Sequence, residues 1–341
     1  MRYWHFEKYF PGRWDLQIEK QIGDEIEEGL LTMGDKTLPI RGGILRCSNQ
    51  DYAEGFGLQW KKFRYLQIDS LIRAVPGTMF GKTHMSFNRF WNDTDWKPKD
   101  LYGKTILEVG SGAGRFTEIM LDAGAEVVSI DLSDAVEANY ETNSKNQVLI
   151  CQADVLDLPF EDGFFDFVFC FGVLQHTPDP DHAYSCMLAK LKPGGELAVD
   201  CYEKIRWSSP DYPRYWTKYA LRKLTAKVDP LKIMKALELT IPILLPILRY
   251  KKRVTSFLLS AIDLLFIRQI IRLILRKRKP FNPKSTTDMA VLDWFDTLAS
   301  RYDHPKTLEE LRDLVTRDEV HLRKISLAAN GLVACVRKIR E

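Results

Sequence analysis

Short apolar runs alternate with longer mixed segments between residues 105 and 202. The apolar runs predict strands near residues 105–110, 126–131, 148–153, 165–171 and 195–202. The intervening segments predict helices near residues 114–123, 133–144 and 180–191. Because a helix between two strands returns the chain to the same end of a sheet, this alternation indicates an α/β fold with a parallel sheet.

The two ends of the chain show short apolar runs separated by turn residues instead. Gly34-Asp35, Pro39 and Gly42-Gly43 divide the first 50 residues, which we expect to form strands and turns. Residues 320–337 hold two apolar runs on either side of Asn330-Gly331, a pair that favours tight hairpin turns. We therefore expect a hairpin of two strands at the C-terminal end.

Aromatic side chains are frequent in residues 51–92. Phe56, Trp60 and Phe63 have helical spacing, which favours packing in a core, and we expect one or two of the aromatic residues to line a binding site. Residues 77–83 contain the Gly, Lys and Thr of a phosphate-binding loop. They are one residue too short, and no apolar strand precedes them, so we predict an ordinary loop.

A basic insertion, residues 203–320, separates the alternating region from the C-terminal hairpin. Its first part, residues 203–284, holds 20 Lys and Arg but only 5 Asp and Glu, whereas the whole chain has a formal net charge of +3. Such a block suits an anionic partner, namely a membrane surface, a nucleic acid or a phosphorylated substrate. A solvated helical surface would have the same composition.

Two apolar runs lie within this insertion. The first, residues 239–248, is ten residues long, whereas a bilayer-spanning helix needs about 20. Asp263, Arg268 and Arg272 interrupt the second, from Val254 to Leu275. We therefore predict a mainly helical insertion that forms either a cap or an interfacial docking helix, and we favour the cap.

Length and cysteine content limit the remaining choices. A chain of 341 residues suggests one large or two ordinary domains. The six cysteines include no C-x-x-C pair, so we expect reduced thiols in a cytoplasmic protein. The first residues contain no apolar signal-peptide segment, and peripheral membrane contact through residues 203–284 is the alternative to a purely cytoplasmic location.

Three glycines at alternate positions follow the first strand of the alternating region. Gly110, Gly112 and Gly114 predict a tight turn into a helix, and Asp131 ends the next apolar run, 21 positions after the first glycine. An acid at this place can bind the hydroxyls of a ribose. Strand, glycine turn, helix, strand and acid together predict a nucleotide-binding site.

The spacing indicates which nucleotide. Dinucleotide sites use G-x-G-x-x-G, whereas this chain has G-x-G-x-G, with Arg115 in the sixth place. Glu108 would repel phosphates but suits an ammonium or sulfonium ligand. The pattern from Glu108 to Gly114 resembles motif I of the class I S-adenosylmethionine-dependent methyltransferases, E/D-x-G-x-G-x-G.

The resemblance extends over residues 100–202 and 321–340. Residues 152–160, 165–176 and 191–200 resemble the later motifs of the subgroup that includes the ubiquinone and menaquinone methyltransferases, the type 11 methyltransferases. It implies a doubly wound, Rossmann-like sheet of seven strands with an antiparallel C-terminal hairpin. Residues 52–63 resemble the segment that covers the cofactor in this family.

The resemblance also implies the contacts with S-adenosylmethionine. Glu108 and the glycine backbone would take the methionine end, Asp131 the ribose hydroxyls and Asp154 the adenine amine, while the backbone at Phe171-Gly172 would line the sulfonium side. The alternative is that Asp131 and Asp154 cap helices, in which case neither side chain would contact the cofactor. The implied cofactor residues are Glu108, Gly110, Ser111, Gly112, Gly114, Asp131, Leu132, Asp154, Val155, Phe171 and Gly172.

His176 is the candidate catalytic base. It follows the fourth strand of the alternating region, at the edge of the sheet where the acceptor should bind, and its side chain titrates near neutral pH. An oxygen acceptor would need such a base. The alternative is a loop histidine bonded to nearby backbone.

The predicted organisation has four parts. They are an N-terminal extension and cofactor or substrate cover (1–98), the S-adenosylmethionine-binding core (99–202), the insertion or cap (203–320) and the strands that complete the sheet (321–341). Residues 38–46 resemble a lead-in that often belongs to a zinc ribbon, but Cys47 is its single cysteine, so we expect no metal.

The predicted function is methylation, on oxygen or carbon, of a small-molecule, glycan or lipid-linked acceptor. The basic insertion leaves an RNA methyltransferase as one alternative, and a non-catalytic cofactor-binding protein is the other. The sequence does not identify the acceptor.

Overall fold

The computed structural model describes residues 1–10, 12, 14–49, 52–74, 84–144, 148–209, 212–250, 283–317, 319–328 and 330–339. Two segments interpreted from the sequence, the glycine- and lysine-containing residues 77–83 and the apolar run from Val254 to Leu275, lie outside these ranges.

The helices and strands follow the order expected between residues 105 and 202. The strands are β1 (Trp14–Ile22), β2 (Glu25–Met33), β3 (Lys36–Arg41), β4 (Ile44–Arg46), β5 (Thr105–Val109), β6 (Glu126–Asp131), β7 (Val148–Gln152), β8 (Phe165–Cys170), β9 (Leu191–Cys201), β10 (Val320–Ala328) and β11 (Gly331–Lys338). The helices are α1 (Tyr3–Tyr9), α2 (Glu54–Phe63), α3 (Asp69–Ala74), α4 (Met85–Thr94), α5 (Pro98–Leu101), α6 (Thr117–Asp122), α7 (Ala135–Asn143), α8 (Pro180–Lys190), α9 (Tyr212–Thr225), α10 (Pro230–Tyr250), α11 (Pro283–Ala299) and α12 (Leu308–Val315).

The described residues form one mixed sheet, in the order β1-β2-β3-β4-β7-β6-β5-β8-β9-β11-β10. Strands β5 to β9 are parallel to their neighbours within that group. Strands β10 and β11 form the expected antiparallel hairpin, and β11 also pairs antiparallel with β9. The predicted count of seven strands is not confirmed, because the described residues form eleven. The N-terminal strands continue it, since β4 pairs in parallel with the edge of β7 through Leu45 and Arg46.

Contacts divide the chain into two compact units. The sheet unit consists of residues 1–53, 86–203 and 302–341, and the helical unit of residues 54–85 and 204–301. Residues 1–98, expected to form one N-terminal part, contribute to both. In the sheet unit, Ile106 and Leu107 are fully buried in separate clusters of the core. All five residues of β5 are buried, which explains why three of them are apolar and lie on both faces of the strand.

The helical unit packs α2, α10 and α11 around a core of its own. Phe63, Leu66, Met234, Leu237 and Phe295 lie at its centre. Arg222 of α9 donates to the carbonyl oxygen of Thr297, at 2.8 Å, which ties α9 to the end of α11. Within the described ranges, no helix is long and apolar enough to cross a membrane.

Candidate cofactor site

The glycine loop lies between β5 and α6 and packs closely against its neighbours. The backbone N–H groups of Gly110 and Ser111 both donate to the carbonyl oxygen of Ile130, at 2.8 and 2.9 Å. Gly110 has φ +78°, and a Cβ there would lie 1.9 Å from Cγ2 of Val173. Glycine is therefore required at this position both for its backbone conformation and for space.

Asp131 connects the tip of β6 to this loop. Its Oδ2 accepts from the N–H of Gly112 at 2.8 Å, and its Oδ1 accepts from the N–H and the hydroxyl of Ser133, at 2.8 and 2.6 Å. Burial raises the pKa of Asp131, and the hydrogen bonds from Ser133 and Gly112 oppose that rise. The carboxylate thus fixes the loop, and its ribose contact stays a prediction.

Glu108 is directed into the interior of the unit. Its side chain is 1% exposed, and Oε2 accepts from the hydroxyls of Thr117 and Ser129. The other oxygen, Oε1, is buried and has no hydrogen-bond partner among the described residues. Burial raises the pKa of Glu108 to about 7, the two hydroxyls oppose this rise, and the negative charge of Asp131 adds to it.

Asp154 follows β7 and is held by a tyrosine from outside the alternating region. Its Oδ1 accepts from the hydroxyl of Tyr52 at 2.8 Å and from the N–H of Leu156 at 3.0 Å. Burial is the main cause of the raised pKa of Tyr52, and the bond to Asp154 adds to it. The expectation that one or two aromatic side chains of residues 51–92 line a binding site stays a prediction. The adenine contact of Asp154 stays untested.

Phe171 and Gly172 leave β8 next to a buried ion pair that sequence reasoning missed. The N–H of Gly172 donates to Asp200 of β9, and Arg89 of α4 pairs with the same carboxylate. The guanidinium of Arg89 lies 5.2 Å from the ring centre of Phe171. Arg89 and Asp200 are 111 residues apart, and no local pattern indicated that they would meet.

His176 lies in a short 3-10 turn, residues 174–176, after β8. Its Nδ1 lies 2.9 Å from the carbonyl oxygen of Tyr302, and its ring meets the edge of Tyr202 at 5.3 Å between centroids. Because a carbonyl can only accept, neutral His176 carries its proton on Nδ1, which places the basic lone pair on Nε2. The alternative considered from the sequence was a bond to nearby backbone, whereas this partner lies 126 residues away along the chain.

Residues 302–304 bring two further groups to this turn. The N–H of His304 donates to the carbonyl oxygen of Gln175 at 2.8 Å, and the ring of Tyr302 meets the edge of Tyr52 at 5.8 Å. The side chain of Gln175 is fully buried, and neither its oxygen nor its nitrogen has a partner in the described part of the chain. Sequence reasoning missed Gln175, although it directly precedes the predicted base.

The strand ends therefore bring the predicted residues to the carboxyl edge of the parallel part of the sheet, where ligands of open α/β folds bind. Leu132 and Val155, which follow β6 and β7, are buried beside the two acids. Among the residues that the structure describes, no group of three or more His, Cys, Asp or Glu side chains could hold a metal ion.

Comparison with known proteins supports this interpretation for the central part of the chain. Residues 107–199 match the family described as the methyltransferase domain. A ubiquinone biosynthesis O-methyltransferase of Xanthomonas oryzae pv. oryzae (strain PXO99A) is 39% identical over 102 residues, which are 29% of this chain and 43% of that protein. Phosphoethanolamine N-methyltransferase 2 of Caenorhabditis elegans is 35% identical over 116 residues, which are 32% of this chain and 25% of that protein.

Solved structures also resemble the chain over a greater length. A methyltransferase from Methanosarcina mazei described as dependent on S-adenosylmethionine is 16% identical, with a TM-score of 0.40, over 70% of this chain and 94% of that one. The match to the two curated relatives spans less than half of their own lengths. The family match, the related sequences and the glycine loop agree, and the chain contains a class I S-adenosylmethionine-dependent methyltransferase domain whose cofactor is S-adenosylmethionine.

Proposed function

We propose that the whole chain transfers a methyl group from S-adenosylmethionine to a small-molecule, glycan or lipid-linked acceptor, and that the methylated atom is oxygen rather than carbon. The tautomer of His176 carries this proposal, because its Nδ1 faces the carbonyl oxygen of Tyr302 and its basic atom is then Nε2. A base is needed when a hydroxyl is methylated. The O-methyltransferase among the relatives supports the same assignment.

The residues that would hold the cofactor suit its charges. S-adenosylmethionine carries an ammonium group and, when bound, supplies a methyl group activated by its sulfonium. The buried Oε1 of Glu108 has no partner among the described residues and would accept from that ammonium. Asp131 would bind the ribose hydroxyls beside the loop that it fixes, and Asp154 the adenine amine.

The acceptor would bind beside Gln175 and His176, which follow the C-terminal end of β8. The buried amide of Gln175 offers both a donor and an acceptor, which suits a hydroxyl or carbonyl group on the methyl acceptor. His176 would take the hydroxyl proton at Nε2 as the oxygen attacks the methyl carbon and the carbon–sulfur bond breaks. Tyr52 and Tyr302 would limit access of water to the reacting atoms.

The test uses a deuterium-labelled methyl donor. The protein is incubated with this donor and with separate metabolite, lipid and RNA fractions, and mass spectrometry locates the label. A labelled hydroxyl compound whose formation depends on His176 supports the proposal, and Asp157→Asn, at an exposed surface pair, serves as the control variant. Label in RNA supports the RNA-methylating alternative. A protein that binds the donor but labels no fraction contradicts catalysis.

We also propose peripheral contact of the helical unit with anionic lipid. Leu231, Leu239 and Ile243 of α10 are 45%, 70% and 60% exposed, and their spacing places them on one face. The exposed Lys235 lies on that face, and Lys232 lies next to Leu231. Exposed apolar side chains beside lysines suit a membrane surface, where each well-placed basic residue contributes about 1 kcal/mol.

A further inference from the structure

A cluster of polar side chains lies buried behind the glycine loop. Its members are Glu108 of β5, Thr117 of α6, Ser129 of β6, and Asn139 and Asn143 of α7, none of which is more than 3% exposed. Buried polar groups cost free energy unless they are hydrogen-bonded. The direction of each hydrogen bond in this cluster therefore has consequences for the one ionisable member, Glu108.

The two asparagines set the orientation of the cluster. Nδ2 of Asn143 donates to Oδ1 of Asn139 at 2.8 Å, so the amide nitrogen of Asn139 faces the other way. That nitrogen donates to the hydroxyl oxygens of Ser129 and Thr117, at 2.9 and 3.2 Å. The same two asparagines lie where a Cβ at Gly114 would be, 2.4 Å from each side chain, so they also support the loop.

The hydroxyl groups of Ser129 and Thr117 accept from Asn139 and donate to Glu108. A hydroxyl has one proton, and each of these two oxygens already accepts from Asn139, so its proton is available for another partner. Both hydroxyls donate to Oε2 of Glu108, from Ser129 at 2.7 Å and from Thr117. Two donors on one carboxylate oxygen favour the ionised form.

We propose that Asn139 is a positioning residue that keeps Glu108 ionised for the cofactor by directing the hydroxyl protons of Ser129 and Thr117 towards it, with Asn143 fixing the Asn139 amide. The cofactor part of this inference rests on the proposed contact between Glu108 and the ammonium. Asp131, the last residue of β6, is the charged group that acts on Glu108 and opposes ionisation. The neighbours of Glu108 on β6 and β8, Ser129 and Phe169, carry no charge.

The first experiment measures the pKa of Glu108 without cofactor. Protein labelled with carboxyl-¹³C glutamate is titrated by NMR, and the resonance of Glu108 is the one that Glu108→Gln removes. Asn139→Leu keeps a similar volume but removes both donors, so we expect the pKa to rise by about one unit. Thr142→Val is the control on the same helix, because its hydroxyl donates only to the carbonyl oxygen of Ala138.

An unchanged pKa in Asn139→Leu would overturn the proposal. If that variant does not fold, Asn139→Ala removes the same donors and takes its place. A rise in Thr142→Val equal to that in the Asn139 variant would also overturn it, because the effect would then come from general loosening of α7.

The second experiment measures how pH changes the affinity for S-adenosylhomocysteine, which keeps the ammonium, by calorimetry. Affinity should rise with pH as Glu108 ionises near its pKa of about 7. Asn139→Leu should move this rise to higher pH, and it should weaken binding up to about tenfold at neutral pH. In Glu108→Gln the affinity should not rise with pH, because no carboxyl group is left to ionise. The ligand's own ammonium titrates alike in every variant, so differences between variants report Glu108.

The two experiments separate two kinds of failure. If the NMR pKa rises in Asn139→Leu but the affinity profiles coincide, Asn139 controls Glu108 but Glu108 does not bind the ammonium, and the cofactor part of the proposal is wrong. If the pKa does not change, the role of Asn139 is wrong whatever the cofactor binds.

Discussion

The carboxyl edge of the sheet and the exposed face of α10 differ in how many partners their side chains have. At the sheet edge, Glu108, Asp131 and Asp154 each accept hydrogen bonds from two neighbouring residues. On α10, Leu239 and Ile243 are 70% and 60% exposed. Substitution in the first region leaves partners unsatisfied, whereas substitution in the second removes few contacts. Stability and cofactor binding should therefore depend on the first region far more than on the second.

The largest loss of stability is expected for Asp200→Ala. The change leaves the guanidinium of Arg89 buried without its main partner, and it also removes the acceptor of the Gly172 N–H. Breaking a buried pair in this way costs about 3–5 kcal/mol of unfolding free energy. Denaturant unfolding measures the loss. Asp157→Asn, which breaks the exposed pair with Lys36, should cost about 0–1 kcal/mol, and equal losses would contradict the comparison.

Gly110→Ala should have the next largest effect. The new Cβ would overlap Val173, and the left-handed backbone conformation adds strain, so we expect a loss of about 2–4 kcal/mol. Gly163→Ala is a matched control, because Gly163 has φ +69° but nothing within 4 Å of the added Cβ. Its loss should be limited to about 1–2 kcal/mol of strain. Chemical denaturation of both variants isolates the contribution of the close packing.

Asp131→Ala should weaken cofactor binding by about 1–3 kcal/mol, because it removes a charged acceptor. Part of the effect would come from the loop, since the N–H of Gly112 loses its acceptor. Ser133→Ala keeps the carboxylate and removes one donor to it, so it should change affinity less. Calorimetry with S-adenosylhomocysteine measures both, and a folded Asp131→Ala protein of unchanged affinity would refute the ribose contact.

The smallest effect on stability is expected for Leu239→Asp on α10. An exposed side chain away from special contacts changes unfolding free energy by about 0.5 kcal/mol or less. The affinity of the Leu239→Asp protein for anionic lipid should nevertheless fall, because an acid replaces an apolar side chain that would contact the lipid. Flotation with phosphatidylglycerol vesicles at low and high salt tests this, with phosphatidylcholine vesicles and RNA as competitors. Wild-type protein that does not float with anionic vesicles would contradict the membrane proposal.

The alternation of apolar and mixed segments predicted β5 to β9 and the helices between them within a few residues, because these strands are buried on both faces and read as apolar runs. It did not predict helix α1, whose Tyr3, Trp4 and Phe6 show no clear period in seven residues. The count of seven strands is also not confirmed, because the described residues form eleven. Pairing between β4 and β7 joins residues about 106 positions apart, and alternation along the chain does not indicate such a partner.

The sequence by itself determined the methyltransferase domain at residues 107–199, its cofactor and the positions of the acids at the strand ends. Glycine spacing and strand order are local properties that the chemistry of the cofactor constrains. Only the tertiary structure revealed what surrounds those acids. Asn139 and Asn143 are unremarkable polar residues of a helix until α7 packs against Gly114, and Arg89 meets Asp200 across 111 residues. Hydrogen-bond direction and burial depend on distances between segments, and these distances set the pKa of Glu108 and the tautomer of His176.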